Sequence, residues 1–241
     1  MADPTAPTIG LVTDSSSQIT PTLVERFAVE VVPMMVTVDG VDHLEGVDLD
    51  ADAFYARFAD GATPTVATSQ PSPGRFVDAY RRLVDRGCDE IVSIHIAEAM
   101  SGTIGSARLA AQSIGVPVHV VDTSSASFGV SVCVWTAGAA IAAGASVTEV
   151  RERIADVVPR IGTSFMIGVP MLTERGGRAS GIDLHGGGDN DGVPVLAMSG
   201  GRLEVLDRVS TVDDTIDVMS TYASGWGASR WGERITVAIG V

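Results

Sequence analysis

The chain has 241 residues, 45% hydrophobic and 19% charged, enough for one large or two modest domains with a sizeable core. Its 16 basic residues are all arginine and face 30 acidic ones, so the net charge of −14 disfavours nucleic acid and anionic membrane as partners. Without lysine there is neither a Walker A phosphate loop nor a Schiff-base enzyme.

Strands and helices alternate from the start. "TIGLVTDSSSQIT" is a short buried strand, Ile9–Thr13, that runs into Asp14 and three serines. A helix follows over Pro21–Ala28, with proline early in its first turn. "VEVVPMMVTV" is a second strand, "VDGVDHLEGVDL" a turn with a polar edge, and "DLDADAFYARFADG" an amphipathic helix ended by Gly61. The loop "TPTVATSQPSPG" leads into the helix "RFVDAYRRLVDRG". "DEIVSIHI" is a strand, followed by a loop holding Ser101-Gly102-Thr103 and another helix. "PVHVVDT" is a strand that enters the hydroxyl-rich stretch Asp122–Ser127. The 20 uncharged residues 128–147 are long enough to span a bilayer but are rich in Ala, Gly and Ser; they are read as a buried helix. "SVTEVRERIADVVPR" is a further helix. After about residue 158, "TSFMIG", "VPVLAMSGGRLEVLDRVS" and "ERITVAIGV" are strands, with "SGGR" as a hairpin.

Alternating strands and helices predict a parallel sheet with ligands at the carboxyl ends of its strands. Four hydroxyl-rich segments, Asp14–Ser17, Thr68–Ser72, Ser101–Thr103 and Asp122–Ser127, are expected to converge on one crevice. Thr68–Ser72 is placed between two helices. Ser101 and Thr103 either cap the helix behind them or hold an anionic head at its start, where free N–H groups and the dipole favour negative charge. Thr68 and Ser69 precede the Ser72 cap and are not needed for capping. Arg178, in "ERGGRAS", has the fork geometry for a carboxylate or acyl phosphate.

Much common chemistry is missing. There is no G-x-S-x-G and no G-x-G-x-x-G after a strand, and no two histidines stand at metal spacing. His95 and His119 lie in apolar strands and are read as core residues; His43, in a polar turn, and His185, beside a glycine run, are read as solvated. Cys88 and Cys133 fit reduced core cysteines of a cytosolic protein, and "MADPTAPTIGL" lacks the features of a secretory signal.

Six segments, "VTDSSSQIT", "VVPMMVTVDG…GVDL", "TSQPSPGRF", "MSGTIGSA", "VVDTSSASFG" and "LTERGGR", stand in the order and spacing typical of the DegV family. The chain resembles that family in detail over residues 8–180 and loosely over 181–241. The resemblance implies an α/β fold of two domains: residues 1–158 with a parallel sheet flanked by helices, and 159–241 of α+β type, with one acyl chain buried between them. It implies a cytoplasmic lipid-binding protein with no catalytic residue, no metal and no cofactor beyond the bound fatty acid. That protein would present a long-chain fatty acid to a separate ATP-dependent fatty acid kinase. Ser101 corresponds to the family's carboxylate-binding serine, with Gly102 and Thr103 beside it. Thr68, next to Ser69, corresponds to the adjoining threonine, and Arg178 to an arginine near the head group and the kinase-facing surface. "FMIGVPML" (165–172) is the candidate tunnel wall.

Two departures stand out. The family's C-terminal His-x-Gly-Pro-Gly motif is absent, and residues 186–192 are glycine and acid where relatives have an apolar helix. A shorter tunnel, weaker ligand retention and self-association are therefore expected. The competing readings are a degenerate relative that binds no lipid and a serine hydrolase or transferase using Ser101.

Overall fold

The computed structural model describes residues 8–166 and 192–230. Its centre is a four-stranded parallel sheet in the order β2-β1-β6-β7, made of β1 (Ile9–Asp14), β2 (Glu30–Val32), β6 (Glu90–His95) and β7 (Val118–Asp122). β1 and β6 are interior strands covered on both faces, which is why both read as nearly continuous apolar runs. Residues of opposite parity feed different cores. Leu11, Val92 and Ile94 pack with α5 (Phe128–Ala142) and α6 (Val147–Val157), while Val12 and Ile91 pack with α3 (Pro73–Asp85) and α4 (Thr103–Ala111). Helix α1 (Pro21–Phe27) packs on α5.

The apolar stretch 128–147 is not one long helix. α5 ends at Ala142, Gly144 takes a left-handed φ of 82°, and α6 starts from a capping box made by Ser146 and Glu149. Fifteen residues rise about 22 Å, short of the roughly 30 Å of a bilayer core. Among the described residues no helix is long and apolar enough to cross a membrane.

The parallel sheet is interrupted by an excursion that the sequence reading missed. "VEVVPMMVTV" is two strands. The chain leaves the parallel sheet at Val32, passes Pro33 and Met34, and enters β3 (Met35–Val38) of a separate antiparallel sheet, β4-β3-β5. The expected polar turn at 38–49 is in part the strand β4 (Val41–Leu44), joined to β3 by Asp39 and Gly40 with φ of 48° and 81°. The expected Thr68–Ser72 loop is in part the strand β5 (Val66–Ser69), paired antiparallel with β3. This sheet has its own small core of Val36, Val38, Leu49 and Val66 against Phe54 and Phe58. Phe54 comes from α2 (Ala51–Tyr55), and Phe58 from the 3-10 turn Ala56–Gly61 behind it.

His43 lies in β4, so it is not the solvated turn residue expected. Its side chain is 17% exposed, Nδ1 stands 3.8 Å from Asp48, and Nε2 is buried without a partner.

A third sheet, β10-β9-β8, is antiparallel and comprises β8 (Ser164–Met166), β9 (Val193–Ser199) and β10 (Arg202–Val209). The expected "SGGR" hairpin is present, with Gly200 and Gly201 both at positive φ. Helix α7 (Val212–Arg230), which the sequence reading did not identify, packs on all three strands. The hairpin tip meets the central sheet's loops: a Cβ on Gly201 would stand 3.4 Å from Ala97 Cβ and 3.7 Å from the Ser124 Cα. Ser125 Oγ and Thr163 Oγ1, 3.3 Å apart, add a second link to the approach to β8. The expected strand "ERITVAIGV", His185 and the segment 186–191 lie outside the described residues.

Candidate functional site

Parallel pairing places the carboxyl ends of β1, β6 and β7 side by side, and the loops that leave them are bonded to one another. The backbone N–H of Ala97 donates to Ser125 O at 2.8 Å, and Thr123 Oγ1 donates to His95 O at 2.8 Å. Ser127 Oγ donates to Gln18 Oε1 at 2.7 Å and Ser131 Oγ to Ser17 O at 2.7 Å. The β7 loop is also strained, since Ser124 and Ser127 hold φ of 48° and 53°. The β5 segment joins this edge through Gln70, whose carboxamide lies against Gly102.

Ser101 sits where the β6 loop turns into α4. Its Oγ is 2.8 Å from Thr103 Oγ1 and accepts from the Thr103 N–H at 3.3 Å, while its own N–H donates to Ala97 O at 3.2 Å. Ser101 is 8% exposed and Thr103 fully buried. Gly102 is the N-cap residue of α4. Ser101 therefore satisfies one free amide of the helix start, and of the two mutually bonded hydroxyls one retains a proton to donate to an oxyanion. Thr103 also touches Met34, the residue just before β3.

Thr68 and Ser69 are exposed neighbours in β5, so they point to opposite faces of the antiparallel sheet. The register puts Thr68 in a row with Val36 and His43, and Ser69 in a row with Met35 and Leu44. Burial alternates through Met34, Val36 and Val38, so Thr68 shares the inner face that starts at Met34, beside Thr103. Ser69 does not. Arg178 and residues 167–172 of the candidate tunnel wall lie outside the described residues. Phe165 and Met166 of that segment lie in β8 and are half-buried.

Behind the edge runs a buried polar chain invisible to spacing rules. On the face that carries Val12 and Ile91, Asp14 and His95 fall side by side at the ends of β1 and β6. Asp14 Oδ2 and His95 Nδ1 are 2.8 Å apart, and both side chains are 0% exposed. His95 Nε2 is 2.6 Å from Ser93 Oγ, which is 2.9 Å from the Tyr80 hydroxyl. The Phe76 ring meets the imidazole edge to face at 5.0 Å. Burial pushes the Tyr80 hydroxyl up to about 12, against a smaller lowering by its Ser93 hydrogen bond, so it stays protonated. Asp14 also accepts from the Ser16 N–H at 3.1 Å and from the Ser16 hydroxyl, which fixes the turn Ser15–Ser17. Ser15 Oγ then donates to Glu45 at 2.5 Å and accepts from the Met34 N–H at 2.9 Å. A carboxylate, an imidazole and a hydroxyl are thus in line, but the hydroxyl is Ser93, which is sealed in the core, and not Ser101. Both imidazole nitrogens are committed, as expected of a satisfied core histidine. His119 is instead half-buried on the edge strand β7, where Nε2 is 3.0 Å from Glu90.

Among the described residues no group of His, Cys, Asp and Glu is arranged to hold a metal ion. Cys88 and Cys133 are free thiols; Cys133 is buried, whereas Cys88 is only half-buried.

The comparisons agree with this architecture. The family profile described as "Uncharacterised protein, DegV family" matches residues 8–240. A DegV domain-containing protein of Deinococcus radiodurans is 34% identical over 234 residues, which are 95% of this chain and 82% of that protein. A DegV family protein of Thermus thermophilus, whose structure is described as showing fatty acid binding, is 31% identical and superposes with a TM-score of 0.82 over 92% of this chain and 79% of that one. A stearic acid-binding protein of Eubacterium ventriosum shares the fold at 20% identity, with a TM-score of 0.85 over 93% of this chain and 78% of its own. With its parallel sheet flanked by helices, the family profile matched over residues 8–240 and a relative 34% identical, the chain belongs to the DegV family.

Proposed function

We propose that this protein is a carrier that buries a long-chain fatty acid and presents its carboxylate to a separate ATP-dependent fatty acid kinase. The observation that carries this reading is the Ser101–Thr103 hydroxyl pair at the start of α4, on the edge where three parallel strands end. The fatty acid binding described for the Thermus thermophilus relative supports it. In this reading the acyl chain lies between two domains, residues 1–158 and 159–241. Ser101, Gly102 and Thr103 hold the carboxylate, with Thr68 and Ser69 alongside, and Arg178 stands near the head on the kinase-facing surface.

Energetics divide the labour. Each buried methylene contributes about 0.8 kcal/mol, so a long tail gains on the order of 10 kcal/mol before association costs. A charge-assisted hydrogen bond at the head is worth roughly 1.5–3 kcal/mol. The tail supplies affinity and the hydroxyls supply orientation. A hydrolase reading has less support, because no imidazole among the described residues bonds Ser101, and the one aligned with a carboxylate is spent on Ser93.

Native mass spectrometry of protein purified from bacterial cells tests the reading: a co-purified long-chain fatty acid is expected, and an empty protein that takes up none on titration would overturn it. In a coupled assay with an ATP-dependent fatty acid kinase, Ser101→Ala is expected to keep most of its lipid yet to be phosphorylated at least tenfold more slowly. Turnover at the wild-type level would remove Ser101 from the site.

A further inference from the structure

Gln70 follows directly on β5, in the bend before α3, and its side chain reaches across to the start of α4. A Cβ built on Gly102 would stand 2.9 Å from Gln70 Nε2 and 3.1 Å from its Cδ. Gly102 itself has φ −70° and ψ 5°, a conformation open to any residue. Its backbone therefore does not require glycine; a Cβ there would instead displace the Gln70 carboxamide. Gln70 is exposed, and its carboxamide makes no hydrogen bond to any described residue. An exposed glutamine ordinarily keeps its amide in water. Here the amide lies against Gly102, between Ser101 and Thr103, with its donors unspent.

We propose that Gln70 is a further contact for the ligand's head group, one that selects an anionic oxygen over a neutral one, and that Gly102 is small so that this carboxamide can close over the head. The inference rests on the fatty acid reading above and extends it to the residue that sets head-group specificity. The chemistry is simple: the NH2 of Gln70 donates to one carboxylate oxygen from the side opposite the Ser101 and Thr103 hydroxyls. Three uncharged groups then hold an anion without burying a counter-ion.

The experiment compares binding of palmitate and of hexadecanol, which share a tail and differ in the head, to wild type, Gln70→Ala, Gln70→Glu, Gly102→Ala and the Gln70→Ala/Gly102→Ala double variant. Thermal unfolding of each variant serves as the control for folding. Gln70→Ala is expected to weaken palmitate three- to tenfold and hexadecanol less than twofold. Gln70→Glu sets a second carboxylate against the first and is expected to weaken palmitate more than tenfold, again sparing hexadecanol. Gly102→Ala displaces only the far end of an exposed side chain, so it should match Gln70→Ala, and the double variant should be no worse than either single one. Unchanged palmitate affinity in Gln70→Ala and Gln70→Glu, or equal losses for acid and alcohol, would overturn the role of Gln70 while leaving fatty acid binding by the wild type intact. A wild type that binds neither probe would overturn the carrier reading and this one together.

Discussion

Replacing His95 with leucine tests the buried chain behind the site. Leucine fits the space roughly but leaves Asp14, which is 0% exposed, without its partner at 2.8 Å. Leaving a fully buried polar group without its partner costs about 1–3 kcal/mol, and the Ser93 hydroxyl loses a hydrogen bond worth about 1 kcal/mol. The Ser16 N–H and hydroxyl still hold Asp14, which keeps the total at about 3 kcal/mol. With a urea slope of roughly 2–3 kcal/mol per molar, the unfolding midpoint should fall by about 1–2 M. Asp14→Asn alone is expected to cost about 1 kcal/mol, because the amide retains an oxygen for the Ser16 N–H and its nitrogen can donate to a neutral imidazole. In the Asp14→Asn/His95→Leu double variant the pair is removed from both sides, so the combined loss should fall short of the sum of the singles by about 1–2 kcal/mol, the usual coupling of residues in contact. Equilibrium urea unfolding followed by circular dichroism reads all four proteins. A loss below about 1 kcal/mol in His95→Leu, or strict additivity, would refute the claim that this buried hydrogen-bonded pair anchors the ends of β1 and β6.

Burial pushes the Cys133 thiol up to about 12, while Cys88, which burial raises and neighbouring Arg86 lowers, is only half-buried. At pH 8 a thiol reagent is therefore expected to modify Cys88 alone in the native protein and both cysteines in urea; loss of the native signal in Cys88→Ala checks the assignment. Glu149 is held below the usual carboxylate range, first by its hydrogen bond from the Ser146 N–H and then by the Ser146 hydroxyl. A depressed folded value means that this stabilisation is present above the ordinary glutamate range and lost as pH falls through the folded value. Ser146→Ala should thus lower stability by about 1 kcal/mol at neutral pH, the usual worth of an N-cap serine, and the gap from wild type should narrow in acid; a pH-independent gap in urea midpoints would contradict this.

What could be read in advance was local. The alternation of strands and helices, the hydroxyl loops at strand ends and the Gly200–Gly201 turn each carry a short-range chemical signature. The antiparallel excursion was missed because "VVPMMVTV" is apolar throughout, and only Pro33 hints that the chain changes sheets there. "VATS" reads as loop from its hydroxyls, and only pairing with β3 makes it a strand. That pairing, in turn, separates Thr68 from Ser69, which look interchangeable in sequence. Helix α7 is rich in Ser, Thr, Gly and Asp and gains its support from the sheet beneath it. Asp14 and His95 are 81 positions apart, and nothing in either neighbourhood announces the other.

The same separation bears on how the chain folds as it is made. β1 precedes the other described strands in the chain and is an interior one, yet its partner β6 begins only at Glu90 and the sheet is not complete until Asp122. Until β6 is made, β1 has only β2 beside it, with its other edge open and the Asp14 carboxylate in water. Closing so long a loop costs entropy before any contact returns it, which puts formation of this sheet among the slower, non-local folding events. During that interval the open β1 edge is the place where a neighbouring chain can pair wrongly, and yield at high expression depends on how quickly β6 arrives to cover it.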